Sequence, residues 1–187
     1  MGVNSISEIP TELKISLMNK REIDLNIPKG AIFSDDGKYR YALWRVWNTN
    51  RPLLLIIGLN PSKAGALNDD PTVTRGIVRA GRAGFGGLLM ANLYAYVSTE
   101  PAVLLGDGDY VGELTDSYLN QMIAMSGRQL CGWGSFLPVG TRVLTVLAMI
   151  KEPYCLGINA DGQPQHPLYI SYSVQMRKYI PQGRFHD

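Results

Sequence analysis

The hydrophobic residues of this chain fall in short blocks whose strand-length and helix-length patterns alternate from about residue 30 onward. The most uniform block, Leu53-Leu54-Leu55-Ile56-Ile57, stops on Gly58-Leu59-Asn60-Pro61-Ser62. Five large aliphatic residues in a row predict a strand buried on both faces, as in a parallel sheet, and such strands carry ligands just past their carboxyl ends. Glycine allows close backbone approach, and Pro61 keeps Asn60 out of the helical region, so an amide is held on a stiff loop. The same residues also make ordinary turns. Upstream, Ala31-Ile32-Phe33-Ser34 and the run from Tyr39 to Trp47 flank Asp35-Asp36-Gly37-Lys38, which predicts a β-hairpin. Strict alternation sets Tyr39, Tyr41, Leu43 and Trp47 on one side of the second strand, and Arg40, Ala42, Trp44 and Val46 on the other. Aromatic and cationic groups so interleaved suit either a nucleic-acid platform or a core cover with snorkelling arginines.

Downstream, Asp70-Pro71-Thr72 predicts a helix entry with Asp70 as N-cap, and the helix should run to about Ala83. Arg75, Arg79 and Arg82 then share one face, where they are candidates for contacts to a phosphate backbone. Leu88 to Tyr96 reads as a second buried strand with Asn92 at or near its end. A helix follows from about Gly112 to Ser126, then the short run Leu130-Cys131-Gly132-Trp133-Gly134, a helix from about Thr141 to Ile150, and a fourth strand at Tyr154-Cys155-Leu156-Gly157-Ile158. Residues 1–30 are polar, broken by Pro10 and Pro28, with a weak helical pattern at Leu13, Leu17 and Met18, and read as an N-terminal arm. Residues 31–187 read as a single domain. The alternation predicts an α/β fold: a three-layer α/β/α sandwich around a central, mainly parallel four-stranded sheet, with the hairpin added at its N-terminal side. Loops at the carboxyl ends of the strands then share one rim, which collects Asn60, Asn92, Gly134 and His166.

Composition changes this picture little. The chain has 187 residues, 45% hydrophobic and 18% charged, with a formal net charge of +2, so only local clustering can argue for a polyanion partner. Cys131 and Cys155 each lie in or beside an apolar run and are expected to be buried, reduced thiols. With two histidines and two distant cysteines, no metal site is expected, and no cofactor is implied. The absence of a signal-like N-terminus or a membrane-length apolar run makes a cytoplasmic location the default expectation.

Read in order, the segments at this rim resemble motifs of the uracil-DNA glycosylase superfamily. Gly58-Leu59-Asn60-Pro61-Ser62 is similar to its first motif, in the variant of the mismatch-specific and thymine-DNA glycosylase branch, where asparagine replaces the water-activating aspartate. Asn92 resembles the asparagine that reads the flipped base, Trp133-Gly134 a Trp-Gly pair ending a later strand, and His166-Pro167-Leu168-Tyr169 the His-Pro-Ser motif. The pattern covers roughly Leu53 to Tyr169. Ser62 stands where that branch has glycine, and Leu168-Tyr169 replaces the residues that usually follow His-Pro. Including Tyr39 to Arg45 and Asp70-Pro71-Thr72, the chain also resembles the uncharacterised DUF1643 family.

The resemblance implies a monofunctional DNA glycosylase acting on a flipped-out modified or mismatched pyrimidine, and a monomer is expected. Asn60 would position the attacking water without accepting its proton, unless Asp69 or Asp70 serves as base. His166, as a neutral donor, would bond the departing base. Asn92 would read the base edge beside Gly58, with stacking from Tyr94, Phe85 or Trp44. DNA contacts would come from Arg75, Arg79, Arg82, Ser62 and Gly134, with Leu168 and Tyr169 wedging into the duplex. A non-catalytic reader of unusual bases and an enzyme acting on free nucleotides are the other readings, and neither the base nor a repair or defence role is specified.

Overall fold

The structure, a computed structural model, describes residues 22–135 and 140–181. The expected helical pattern at Leu13, Leu17 and Met18 lies outside the described residues. The described chain forms β1 (Lys29–Phe33), β2 (Arg40–Val46), β3 (Leu53–Gly58), α1 (Pro71–Arg82), β4 (Gly87–Asn92), α2 (Thr115–Met125), β5 (Arg128–Cys131), α3 (Gly140–Met149), β6 (Pro153–Cys155) and β7 (Arg177–Lys178), with short 3-10 turns at Pro101–Leu105 and Pro167–Tyr169.

All seven strands belong to one mixed sheet of order β1-β2-β4-β3-β5-β6-β7. The four expected strands are its parallel centre, since β3 pairs in parallel with β4 and β5, and β5 with β6. The expectation of a four-stranded sheet with a separate hairpin is corrected at both edges. The hairpin joins the sheet through antiparallel β2–β4 pairing, and β7 adds an antiparallel strand beside β6. The end of the expected N-terminal arm is also built in, because Lys29 and Gly30 start β1 and Pro28 accepts a backbone bond from Val46.

Every residue of β3 is buried, and its side chains divide by parity between two cores. Leu54 and Ile56 pack with Leu88, Met90, Val73 and Ala80 on the α1 face, while Leu55 and Ile57 pack with Leu89, Leu119, Met122, Val143 and Val146 on the α2 and α3 face. That period of two is the geometry of a strand covered on both sides. Each fully buried Leu or Ile contributes roughly 1.5–3 kcal/mol. Gly76 lets α1 lie close to the sheet, since a Cβ there would stand 2.8 Å from Leu88 Cδ2.

This two-sided arrangement creates the site. The chain leaving β3 returns through α1 on one face, whereas the chains leaving its neighbours β4 and β5 return through α2 and α3 on the other. Adjacent strands whose connections part to opposite faces leave a crevice beyond their carboxyl ends.

The hairpin departs from strict alternation. Ile32 pairs with Ala42 and Phe33 with Arg40, which leaves Tyr41 as an extra, bulged residue on β2. Without the bulge, Arg40 and Arg45 would point to opposite faces, being five residues apart. With it, both guanidinium groups reach the segment after β3: Arg40 donates to Ala64 O, and Arg45 donates to Gly65 O and to Asp69 Oδ1. Leu43 packs into the α1-side core, and Trp44 and Val46 into the opposite one, so the two expected sets of alternating residues are broken at Tyr41.

Candidate functional site

A cavity of about 360 Å³ opens at the carboxyl ends of β3, β4 and β5. It is lined by Gly58, Asn60 and Ser62 from the end of β3, by Asn92 from β4, and by Gly134 past β5. His166, Leu168 and Tyr169 close it from the segment after β6. The rim expected from the strand pattern is thus one continuous space.

Parallel register sets Gly58 opposite Asn92, where a Cβ would lie 2.8 Å from Asn92 Nδ2 and would make that amide shift. Asn92 is 6% exposed, and its Oδ1 accepts from Arg40 Nη2 at 3.4 Å. That contact turns the amide oxygen toward the guanidinium and the amide donors toward Gly58. Asn60 is oriented by carbonyls: its Nδ2 donates to Ser98 O at 2.9 Å, Pro61 O at 3.2 Å and Tyr96 O at 3.5 Å. With nitrogen facing those oxygens, Oδ1 is the edge left for a ligand or water.

His166 accepts from the backbone N–H of Leu168 on Nδ1, at 3.3 Å. A neutral imidazole with an occupied Nδ1 acceptor carries its proton on Nε2, so the ring can donate. Burial lowers the His166 pKa below the usual histidine value, partly offset by the negative charge of Asp70. Asp70 is the only carboxylate among the described residues that line the cavity. It caps α1 by accepting from Val73 N at 2.8 Å, in keeping with the expected N-cap. Asp69, the other candidate base, is held by Arg45 at 2.6 Å and does not line the cavity.

The arginine stripe of α1 has a different destination from the expected DNA backbone. Arg79 is only 4% exposed and donates to Ile170 O, Ser171 O and Val174 O. Arg75 donates to Pro167 O and Ile170 O. Arg75, Arg79 and the exposed Arg82 also gather around the Tyr172 ring, with guanidinium carbons 4.4, 5.5 and 4.6 Å from its centroid. The helix therefore grips the segment that follows His166, and Arg79, which does not line the cavity, is committed to that segment's carbonyls. On the opposite flank, Gly132 abuts the Pro167 ring and Gly134 adopts a positive φ of 78° beside His166. A Cβ at Gly132 would stand 2.6 Å from Pro167 Cδ and push the His166 loop away, and a side chain at Gly134 would strain the backbone.

The proposed stacking residues do not reach the cavity. Phe85 packs in the α1-side core near the amino ends of β3 and β4, and Trp44 is buried in the other core with its indole N–H on Ile27 O. Tyr94 is half-buried against that same core. The aromatics that line the cavity are Trp133, 1% exposed with its N–H on Gln163 Oε1, and Tyr169, which is 81% exposed. Arg40, Thr72, Ser98 and Thr99 were absent from the expected rim; only the bulge in β2 explains how Arg40 reaches it. Cys131 and Cys155 are free and buried, as expected. Among the described residues no helix is long and apolar enough to cross a membrane.

Fold and site together define a mixed α/β protein with a polar pocket at the carboxyl edge of its parallel strands. The chain belongs to the DUF1643 family, a family of unknown function, whose model matches residues 40–168. That range begins at Arg40 and includes every cavity-lining residue except Tyr169. No curated protein and no solved structure matches the chain.

Two outcomes follow for the His166 loop. Because its folded pKa lies below that of the unfolded chain, His166 contributes stability that is full above about pH 6.5. That contribution is lost as pH falls through the folded value. An NMR titration should place the His166 midpoint below 6.5, and Asp70→Asn should lower it further; a midpoint at or above 6.5 contradicts the buried, neutral ring. Arg79→Met should destabilise the protein by about 1–3 kcal/mol through the carbonyls it leaves unbonded. Hydrogen exchange should then quicken at residues 168–174 while the β3 and β4 amides stay protected.

Proposed function

We propose that this protein hydrolyses the N-glycosidic bond of a flipped-out, modified or mismatched pyrimidine in DNA, leaving an abasic site. Its architecture is then a relative of the uracil-DNA glycosylase sandwich, with extra antiparallel edge strands. The observation that carries the reading is the neutral His166 ring, whose Nε2–H is its donor, on the same cavity as Asn60 and Asn92. The exposed Tyr169 and neighbouring Leu168 at the mouth are suited to entering a duplex.

In the reaction, a water attacks the sugar C1′, the bond from C1′ to the base nitrogen breaks, and its electron pair leaves with the base. The developing negative charge on a base carbonyl is met by His166 Nε2–H, a contact stronger in the transition state than in the ground state. Asn92 presents its amide donors to the pyrimidine edge. Asn60 Oδ1 accepts a hydrogen bond from the water but not its proton, which passes to Asp70, whose second oxygen is free of the helix cap. The base anion then takes a proton from solvent, and Asp70 returns to solvent the one it received, which regenerates the carboxylate.

A second reading, hydrolysis of a free nucleotide by the same groups, is favoured by the inward-turned arginine stripe, which leaves less cationic surface for a duplex.

The test is incubation with duplexes carrying uracil, mismatched thymine or bulky modified pyrimidines, followed by alkali. Strand breaks are expected with at least one substrate, reduced roughly 10²- to 10⁴-fold by His166→Ala and Asp70→Asn. Asparagine caps helices as well as aspartate, so Asp70→Asn separates the proton-accepting role from the cap. No breaks with any duplex, together with base release from nucleotides, would favour the second reading; neither activity would overturn both.

A further inference from the structure

Hydrolysis as described uses Asn60, Asp70, Asn92 and His166 and leaves Arg40 without a part. Yet Arg40 lines the cavity while only 4% exposed. A guanidinium has five N–H donors in a fixed fork. Arg40 spends one on Ala64 O at 2.8 Å and another on Asn92 Oδ1 at 3.4 Å, the latter at the weak end of hydrogen bonding. Its neighbour Arg45 has Asp69 at 2.6 Å, whereas no carboxylate of the described residues lies within ion-pairing distance of Arg40. Burial pushes the Arg40 pKa down to about 10, with Asp70 opposing from a longer distance, so the group is still cationic at neutral pH. A buried cation is expensive unless an anion meets it.

Other groups lining the cavity have the same polarity. Asn92 turns its oxygen to Arg40 and its donors toward Gly58, His166 offers Nε2–H, and the first turn of α1 borders the space at Thr72 and Val73. The opposing charge, Asp70, has one oxygen committed to Val73 N.

We propose that the ligand carries an oxyanion that seats against Arg40, either as a carboxylate on the pyrimidine ring or as the 5′-phosphate of a nucleotide. This rests on the pyrimidine reading of the pocket and adds charge to it as a specificity determinant. Planar, bidentate recognition of carboxylate or phosphate is the use for which a guanidinium fork is best shaped.

Calorimetric titration with two pairs of compounds tests it: uracil against 5-carboxyuracil, and deoxyuridine against deoxyuridine 5′-monophosphate. In at least one pair the anionic member should bind at least tenfold more tightly to the unmodified protein, and which pair does so identifies the source of the charge. Arg40→Met should abolish that advantage and Arg40→Lys should keep part of it. Equal affinity within both pairs, no binding of any of the four at millimolar concentration, or an advantage that survives in folded Arg40→Met would overturn the proposal. The comparison within the unmodified protein decides even if Arg40→Met fails to fold. Anion-dependent binding without base release would remove the hydrolytic reading and leave the role of Arg40 standing; base release with equal affinities would do the reverse.

Discussion

The site depends on one constraint, the parallel register of β3 and β4 that sets Gly58 against Asn92 at the carboxyl edge. β3 is buried on both faces, so its register is held along its whole length by two cores, and a slip of one residue would send Leu54 and Ile56 to the wrong side. A Cβ on its last residue would displace the Asn92 amide, whose nitrogen lies 2.8 Å from where that atom would stand. Two residues later the chain turns through Asn60 toward α1. One register thus fixes both amides of the cavity.

The opposite wall is held by other means. His166 lies in a segment with little regular structure, joined to the body by arginine-to-carbonyl bonds and the three guanidinium groups around Tyr172. Cation–π contacts of this kind contribute about 0.5–1 kcal/mol each at exposed sites. The cavity therefore has one wall as rigid as the sheet and another as rigid as the α1 clamp. That division suits a site in which recognition groups stay still while a loop admits a ligand.

The parallel strands, the cap at Asp70 and the meeting of Asn60, Asn92 and His166 were legible in the sequence because each rests on a local pattern. Apolar runs give buried strands, Asp-Pro gives a helix entry, and carboxyl ends of parallel strands converge. Other features depended on contacts between distant residues. The arginine stripe on α1 carries the same spacing whether it faces phosphate or its own chain, and the decisive partners, Ile170, Ser171 and Tyr172, lie about ninety residues away. The bulge at Tyr41 left no glycine or other mark in β2, so alternation sent Arg40 and Arg45 to opposite faces. Phe85, expected to stack on a base, lies in the α1-side core at the amino end of the sheet, away from the cavity, because the chain from α1 enters β4 at that end.

We propose that this carboxyl-edge cavity receives a pyrimidine nucleotide unit. It is tested most directly by the side-chain NMR signals of Asn60, Asn92 and His166 on adding a pyrimidine oligonucleotide made unreactive by fluorine at the sugar 2′ position. The Asn92 amide and the His166 Nε2–H should shift together and saturate at one stoichiometry, with the β7 edge unchanged. Saturable binding that leaves both signals in place would contradict it.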